Sequence, residues 1–124
     1  MQFWFLMLGA LLALVGAAFH GIVGQQKYMT NIYASDLPSL SKSLSLVSWH
    51  VFTIFLVITA FTLIYVAYVP NLKNLLIPIV IINFLGACLF VFLGFRKHKA
   101  LLSMPGGYLM GGTAFLGLLG INDF

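Results

Sequence analysis

Four runs of mostly apolar residues, at about 3–24, 44–69, 75–95 and 100–121, take up nearly all of this 124-residue chain. Each is close to the ~20 residues that an α-helix needs to cross the hydrocarbon core of a bilayer. A chain that is 62% hydrophobic and 6% charged, with a mean hydropathy of +1.10, lies far from a soluble domain, in which about a quarter of residues are charged. Within lipid, only helices and closed barrels satisfy every backbone polar group internally. Barrel strands alternate in hydropathy over roughly ten residues, whereas these runs are long and unbroken. The expected fold is therefore all-α: an integral membrane four-helix bundle, up-down and antiparallel, in a single transmembrane domain covering residues 1–124.

The connections carry the topology. The only sizeable polar segment is 25–43, with Lys27, Asp36, Pro38, Lys42 and several serines. Its Ser-Asp-Leu-Pro and Ser-Leu-Ser-Lys stretches read as a turn followed by an early start to the second helix. Pro70-Asn71-Leu72-Lys73-Asn74 is a tight reversal, which makes the helices it joins antiparallel neighbours. On one side of the bundle lie Lys27, Lys42, Arg96, Lys97 and Lys99; the opposite side has only Lys73 and the termini. Five basic residues against one place both termini outside the cytoplasm by the positive-inside rule. Trp4, Tyr28, Tyr33, Tyr65 and Tyr68 fall near the expected boundaries, as an aromatic belt would. The lack of a basic segment before Phe3 argues that the first helix is retained rather than cleaved as a signal peptide.

Absent residue types narrow the chemistry. The chain has two carboxylates and no glutamate, and Asp36 and Asp123 both lie outside the spans. No membrane-embedded carboxylate is available to run a proton or sodium cycle. Paired-carboxylate hydrolysis, a Ser-His-Asp set, a phosphate-binding glycine loop and a cysteine-rich metal motif are equally out of reach, so an enzyme is not the favoured reading. The net charge of +4 is loop charge that sets topology, not a nucleic-acid footprint. Cys88 is the sole cysteine, so no disulfide forms within the chain.

Among polar residues inside the spans, His20, His50 and Asn83 stand out. His20 continues a small-residue stripe of Gly9, Ala13, Gly16 and Ala17, and His50 continues Thr53, Val57, Ala60 and Ile64. Small stripes mark the packed side of a membrane helix, so both imidazoles are expected to point inward, at equal depth, below the cytoplasmic boundary. Together they form either a polar tie between helices or a site for a transition metal, a haem iron, or the polar end of a quinone or lipid. Two ligands make a poor structural zinc site but suffice for a bis-His haem. Asn83, midway along the third span, is expected to form an interhelical hydrogen bond. In the fourth span Gly107 and Gly111 make a small-xxx-small motif, which serves either packing within the bundle or self-association. Pro105-Gly106-Gly107 could instead break the helix beside a cavity.

His20-Gly21-Ile22-Val23-Gly24-Gln25 and Trp49-His50-Val51-Phe52-Thr53 together resemble a group of small bacterial four-helix membrane proteins. Their patterns are His-Ser-x-x-Gly-Glu and Trp-His-x-x-Thr. The resemblance covers the first half of the chain and marks His20, Gly24, Trp49, His50 and Thr53. It implies a bacterial inner-membrane setting and no particular activity. Gly21 and Gln25 depart from the pattern, which weighs against any role requiring a carboxylate at position 25.

Three functions compete on these grounds. The leading one is a non-enzymatic accessory or assembly subunit that partners the lipid bilayer and either itself or a larger membrane complex. The second is a metal- or haem-linked redox protein, or a quinone-binding one, using His20 and His50 with Trp49 and Thr53 beside them. The third, a small transporter or channel, needs a continuous polar path that these residues scarcely supply.

Overall fold

A computed structural model describes residues 1–122, which contain helices and no strand; Asp123, one of the two carboxylates, lies outside the described residues. Helix α1 (Gln2–Ala18) runs without a break into a π-helical stretch (Phe19–Met29) and a short α2 (Thr30–Ala34). These three form one rod, Gln2–Ala34. Much of the expected first loop is thus helical, and the rod outruns the apolar stretch that ended at residue 24. The chain turns at residues 35–38, where Lys42 Nζ donates to the Tyr33 carbonyl at 2.8 Å, a cation placed on the unsatisfied end of α2.

Helix α3 (Ser39–Tyr68) follows, then a 3₁₀ turn (Pro70–Leu75), α4 (Leu76–Arg96), a second 3₁₀ turn (Lys99–Ser103) and α5 (Pro105–Asn122). The last helix starts five residues later than the apolar run. Pro105 is at its first position, where a missing N–H costs nothing, and Met104 before it is extended (φ −82°, ψ 138°), as a residue preceding proline prefers.

Three of the four rods, Gln2–Ala34, Ser39–Tyr68 and Pro70–Arg96, are long and apolar enough to cross a membrane. The fourth, α5, is diluted by glycine. Helix α1 packs on both α3 and α5, and α5 packs on α4, but α3 and α4 scarcely meet beyond their connection. The bundle is an arc, α3-α1-α5-α4, rather than a closed ring. Glycines permit the close approaches within it: a Cβ at Gly107 would lie 2.9 Å from Phe90 Cβ, and one at Gly112 2.9 Å from Leu12.

Packing is uneven along the bundle axis. At the end holding the N-terminus and the α3–α4 turn, Leu6, Ala10, Leu63, Val66, Ala67 and Leu76 form a buried core. Phe3 adds edge-on contacts to Trp4 and Tyr68, each at 5.4 Å. The other end is hollow.

Candidate functional site: an interhelical cavity beside His20

A cavity of about 540 Å³ lies between the four rods, within the 300–1,000 Å³ typical of small-molecule sites. Its wall is overwhelmingly apolar: Ala13, Gly16, Leu56, Phe90, Leu109 and Met110 are representative. The 3₁₀ turn and Met104 contribute the rim nearest the basic loops, where Tyr28 donates its hydroxyl to Met104 Sδ at 3.4 Å. On the side where α3 and α4 fail to meet, Phe52 and Leu56 face the space from α3, and Asn83 and Phe90 from α4.

His20 is the one histidine in the wall, and its position is fixed from several directions. The imidazole stacks on Trp49 at 4.0 Å and 15°, and meets the edge of Phe52 at 4.8 Å. Trp49 Nε1 donates to the His20 carbonyl at 3.1 Å, while His20 Nδ1 and Thr53 Oγ1 are 3.0 Å apart. The Thr53 hydroxyl is also 3.3 Å from the Trp49 carbonyl. It has a single hydrogen; given to that carbonyl, it leaves Nδ1 as the donor and Nε2 as an acceptor with a free lone pair.

The backbone around His20 makes this clasp possible. A Cβ at Gly21 would come 2.9 Å from Thr53 Cγ2, and one at Gly24 2.8 Å from Trp49 Cζ2. Hydrogen at both positions lets α3 approach closely enough for Thr53 and Trp49 to grip the histidine. The π-helical winding begins at Phe19, beside it; such winding is rare and frequently accompanies functional sites.

The structure thus brings His20, Trp49 and Thr53 together and leaves His50 out. His50 is exposed on the outer surface of α3 and does not line the cavity, contrary to the inward orientation expected for it. The inward stripe of α3 is Trp49, Phe52, Leu56, Thr59, Ala60 and Leu63, and one residue rotates a helix position by about 100°. No group of three or more His, Cys, Asp or Glu side chains able to hold a metal occurs among the described residues.

Asn83 is fully buried and lines the cavity. Its Nδ2 donates to the Ile79 carbonyl of its own helix at 2.9 Å, and its Oδ1 has no partner. The interhelical bond expected for this residue is therefore not made. Gly107 and Gly111 face Phe90 and Ala87 of α4, the latter at 3.6 Å, so the small-xxx-small motif is used within the chain.

Tyr28 and Met104 were not legible as wall residues, because their places depend on the helical extension of the first rod and on the 3₁₀ turn, and Phe52 was not because the inward face of α3 was read one residue away from Trp49. The Met104-Pro105 pair was the available cue for the late start of α5. Comparisons with known protein families, characterised proteins and solved structures find no match to this chain.

Proposed function

We propose that this chain is a bilayer protein that takes up an elongated amphiphile, of lipid or quinone type, in the cavity between its four rods, with the ligand's polar group at His20. In this reading all four rods cross a bacterial inner membrane with both termini on the non-cytoplasmic side. Although α5 is the least apolar, its packing against α1 and α4 carries it through whatever they cross. Its 18 residues span about 27 Å at 1.5 Å each.

The observation that carries the proposal is the cavity itself: an apolar space of about 540 Å³ beside a seam where α3 and α4 do not close. Through that seam a molecule dissolved in the bilayer reaches the interior without crossing water. Nε2 of His20 supplies a hydrogen-bonding point at the end nearest the headgroups. The packed core at the opposite end supports a binding role over a through-path for transport. A bis-His haem required two imidazoles in one site, and the cavity has one. The glycines that offered an assembly surface are turned onto α4, so the accessory-subunit reading loses its clearest support.

The test uses a Trp4→Phe background, which leaves Trp49 as the only tryptophan. A brominated fatty acid added to protein in nanodiscs should quench Trp49 saturably. In Gly16→Leu that saturable component should fall. A Cβ there meets Leu56 and Leu109 at an ordinary 3.8 Å, and the rest of the new side chain occupies cavity space. Quenching that rises only linearly with probe, and equally in both proteins, would mean that nothing occupies the cavity.

A further inference from the structure

The cavity has a second polar station, remote from His20. Asn83 is 0% exposed, its Oδ1 is buried without a partner, and it lines the same space. The packing fixes its depth. Gly107 faces Phe90, Gly111 faces Ala87 and Gly117 faces Val80 across the α4–α5 contact, a register that sets Asn83 level with Ala114, the residue after Thr113. Gly112, next to Thr113, faces Leu12 of α1. From His20 to Leu12 is eight residues, or about 12 Å along the helix. Between the two levels the wall is Ala13, Gly16, Leu56 and Leu109, with no polar side chain among them.

A buried carbonyl oxygen without a donor is costly, the more so in a low-dielectric interior. One of the two amide hydrogens goes to the Ile79 carbonyl; the oxygen, an acceptor, can be satisfied only by a group that brings its own hydrogen. An ester, an ether, a ketone or a bare hydrocarbon end cannot do so; a hydroxyl can.

Resting on the ligand reading above, we propose that Asn83 makes the cavity selective for lipophiles that carry a hydroxyl at their buried end. The ligand class is an apolar chain terminating in an alcohol, its hydroxyl donating to Asn83 Oδ1 roughly 12 Å beyond His20. A hydroxylated tail is poorly solvated by lipid, which offers it no acceptor at that depth. The site supplies that acceptor, and so discriminates against the bulk lipid surrounding it.

The experiment is displacement of the brominated fatty acid by 1-decanol or by decyl methyl ether, again in the Trp4→Phe background. Competitor is expressed as mole fraction in the lipid, so that partitioning cancels. The alcohol should displace the probe at about three- to tenfold lower mole fraction than the ether, the range that one net hydrogen bond provides. In Asn83→Leu the ratio between the two competitors should fall, any remainder being the alcohol's preference for the acceptor at His20. Asn83→Ala repeats the measurement with a side chain that cannot crowd the α4–α5 contact. Equal displacement by alcohol and ether in the parent protein, or an unchanged ratio in both variants, would overturn the selectivity while leaving the cavity reading intact; water held on Asn83 would give that result. Failure of the brominated probe to quench saturably would instead remove both readings.

Discussion

Gly24→Ala adds one methyl group at the tightest point of the His20 clasp, and its effect can be worked from the packing. The new Cβ would lie 2.8 Å from Trp49 Cζ2, whereas carbon atoms rest about 3.5–4.0 Å apart. The indole must therefore withdraw by about 0.7–1.2 Å. That movement pulls Trp49 from its 4.0 Å stack on the imidazole and lengthens its 3.1 Å bond to the His20 carbonyl. Overpacking of this kind costs about 1–3 kcal/mol, offset by up to about 1 kcal/mol because alanine favours helix over glycine. The expected net loss is about 1–2 kcal/mol. Gly111→Ala is the internal control, since its Cβ meets only Ala87, at an ordinary 3.6 Å, and the propensity term should leave that variant neutral or slightly stabilised. Unfolding by SDS in mixed micelles, followed through Trp49 fluorescence in the Trp4→Phe background, reads both. A Gly24→Ala protein as stable as Gly111→Ala would mean that the indole does not rest against this backbone, and the clasp as described would be wrong.

Thr53→Val keeps the side-chain shape but removes the hydroxyl bonded to His20. It should cost about 0.5–1.5 kcal/mol in the same assay, with Thr53→Ser recovering most of it; no loss would mean that the bond contributes nothing. A double-mutant cycle on His20→Ala and His50→Ala should show a smaller coupling than one on His20→Ala and Thr53→Val, because Thr53 bonds the imidazole whereas His50 is exposed and outside the cavity wall; an equal or larger coupling would restore a shared histidine site. A reporter fused after the last residue should behave as periplasmic, and a cytoplasmic signal would invert the proposed topology.

Much of the fold was legible because hydropathy over twenty residues leaves few alternatives, and the Pro70–Leu75 reversal declared itself through composition. The extension of the first rod was not, because Gln25, Gln26 and Lys27 read as loop while their backbone continues in π-helical form. At the site, His20 followed from a stripe that the packed face of α1 does use: Gly9, Ala13, Gly16 and Ala17 are buried. For His50 the equivalent argument chose a stripe whose Thr53, Ala60 and Ile64 do pack inward, but His50 itself falls beyond the edge of that face. Trp49 and His50 are neighbours in sequence, and both continue plausible three-and-four spacings. Only the partners on α1, with Gly21 and Gly24 cleared to receive Thr53 and Trp49, decide which of them faces inward. Asn83 was recognised as anomalous, but its place in the cavity wall depends on the gap left by α3 and α4, which no local pattern encodes.

The arc-shaped order of the bundle also bears on how the protein is made. Helix α4 has α5 as its one extensive neighbour, and α5 is synthesised after it. When α4 leaves the ribosome, the hairpin of the first rod and α3 can already be assembled, yet it offers α4 little to grip beyond the short turn that tethers it. In the proposed membrane setting the growing chain should therefore pass through a stage with two helices docked and a third without its partner, ending when α5 slides between α1 and α4 and fastens to both. The glycines of the final helix suit this late insertion: Gly107, Gly112, Gly117 and Gly120 clear room for Phe90, Leu12, Val80 and Leu6 of its neighbours, so α5 can enter a narrow slot without prising them apart.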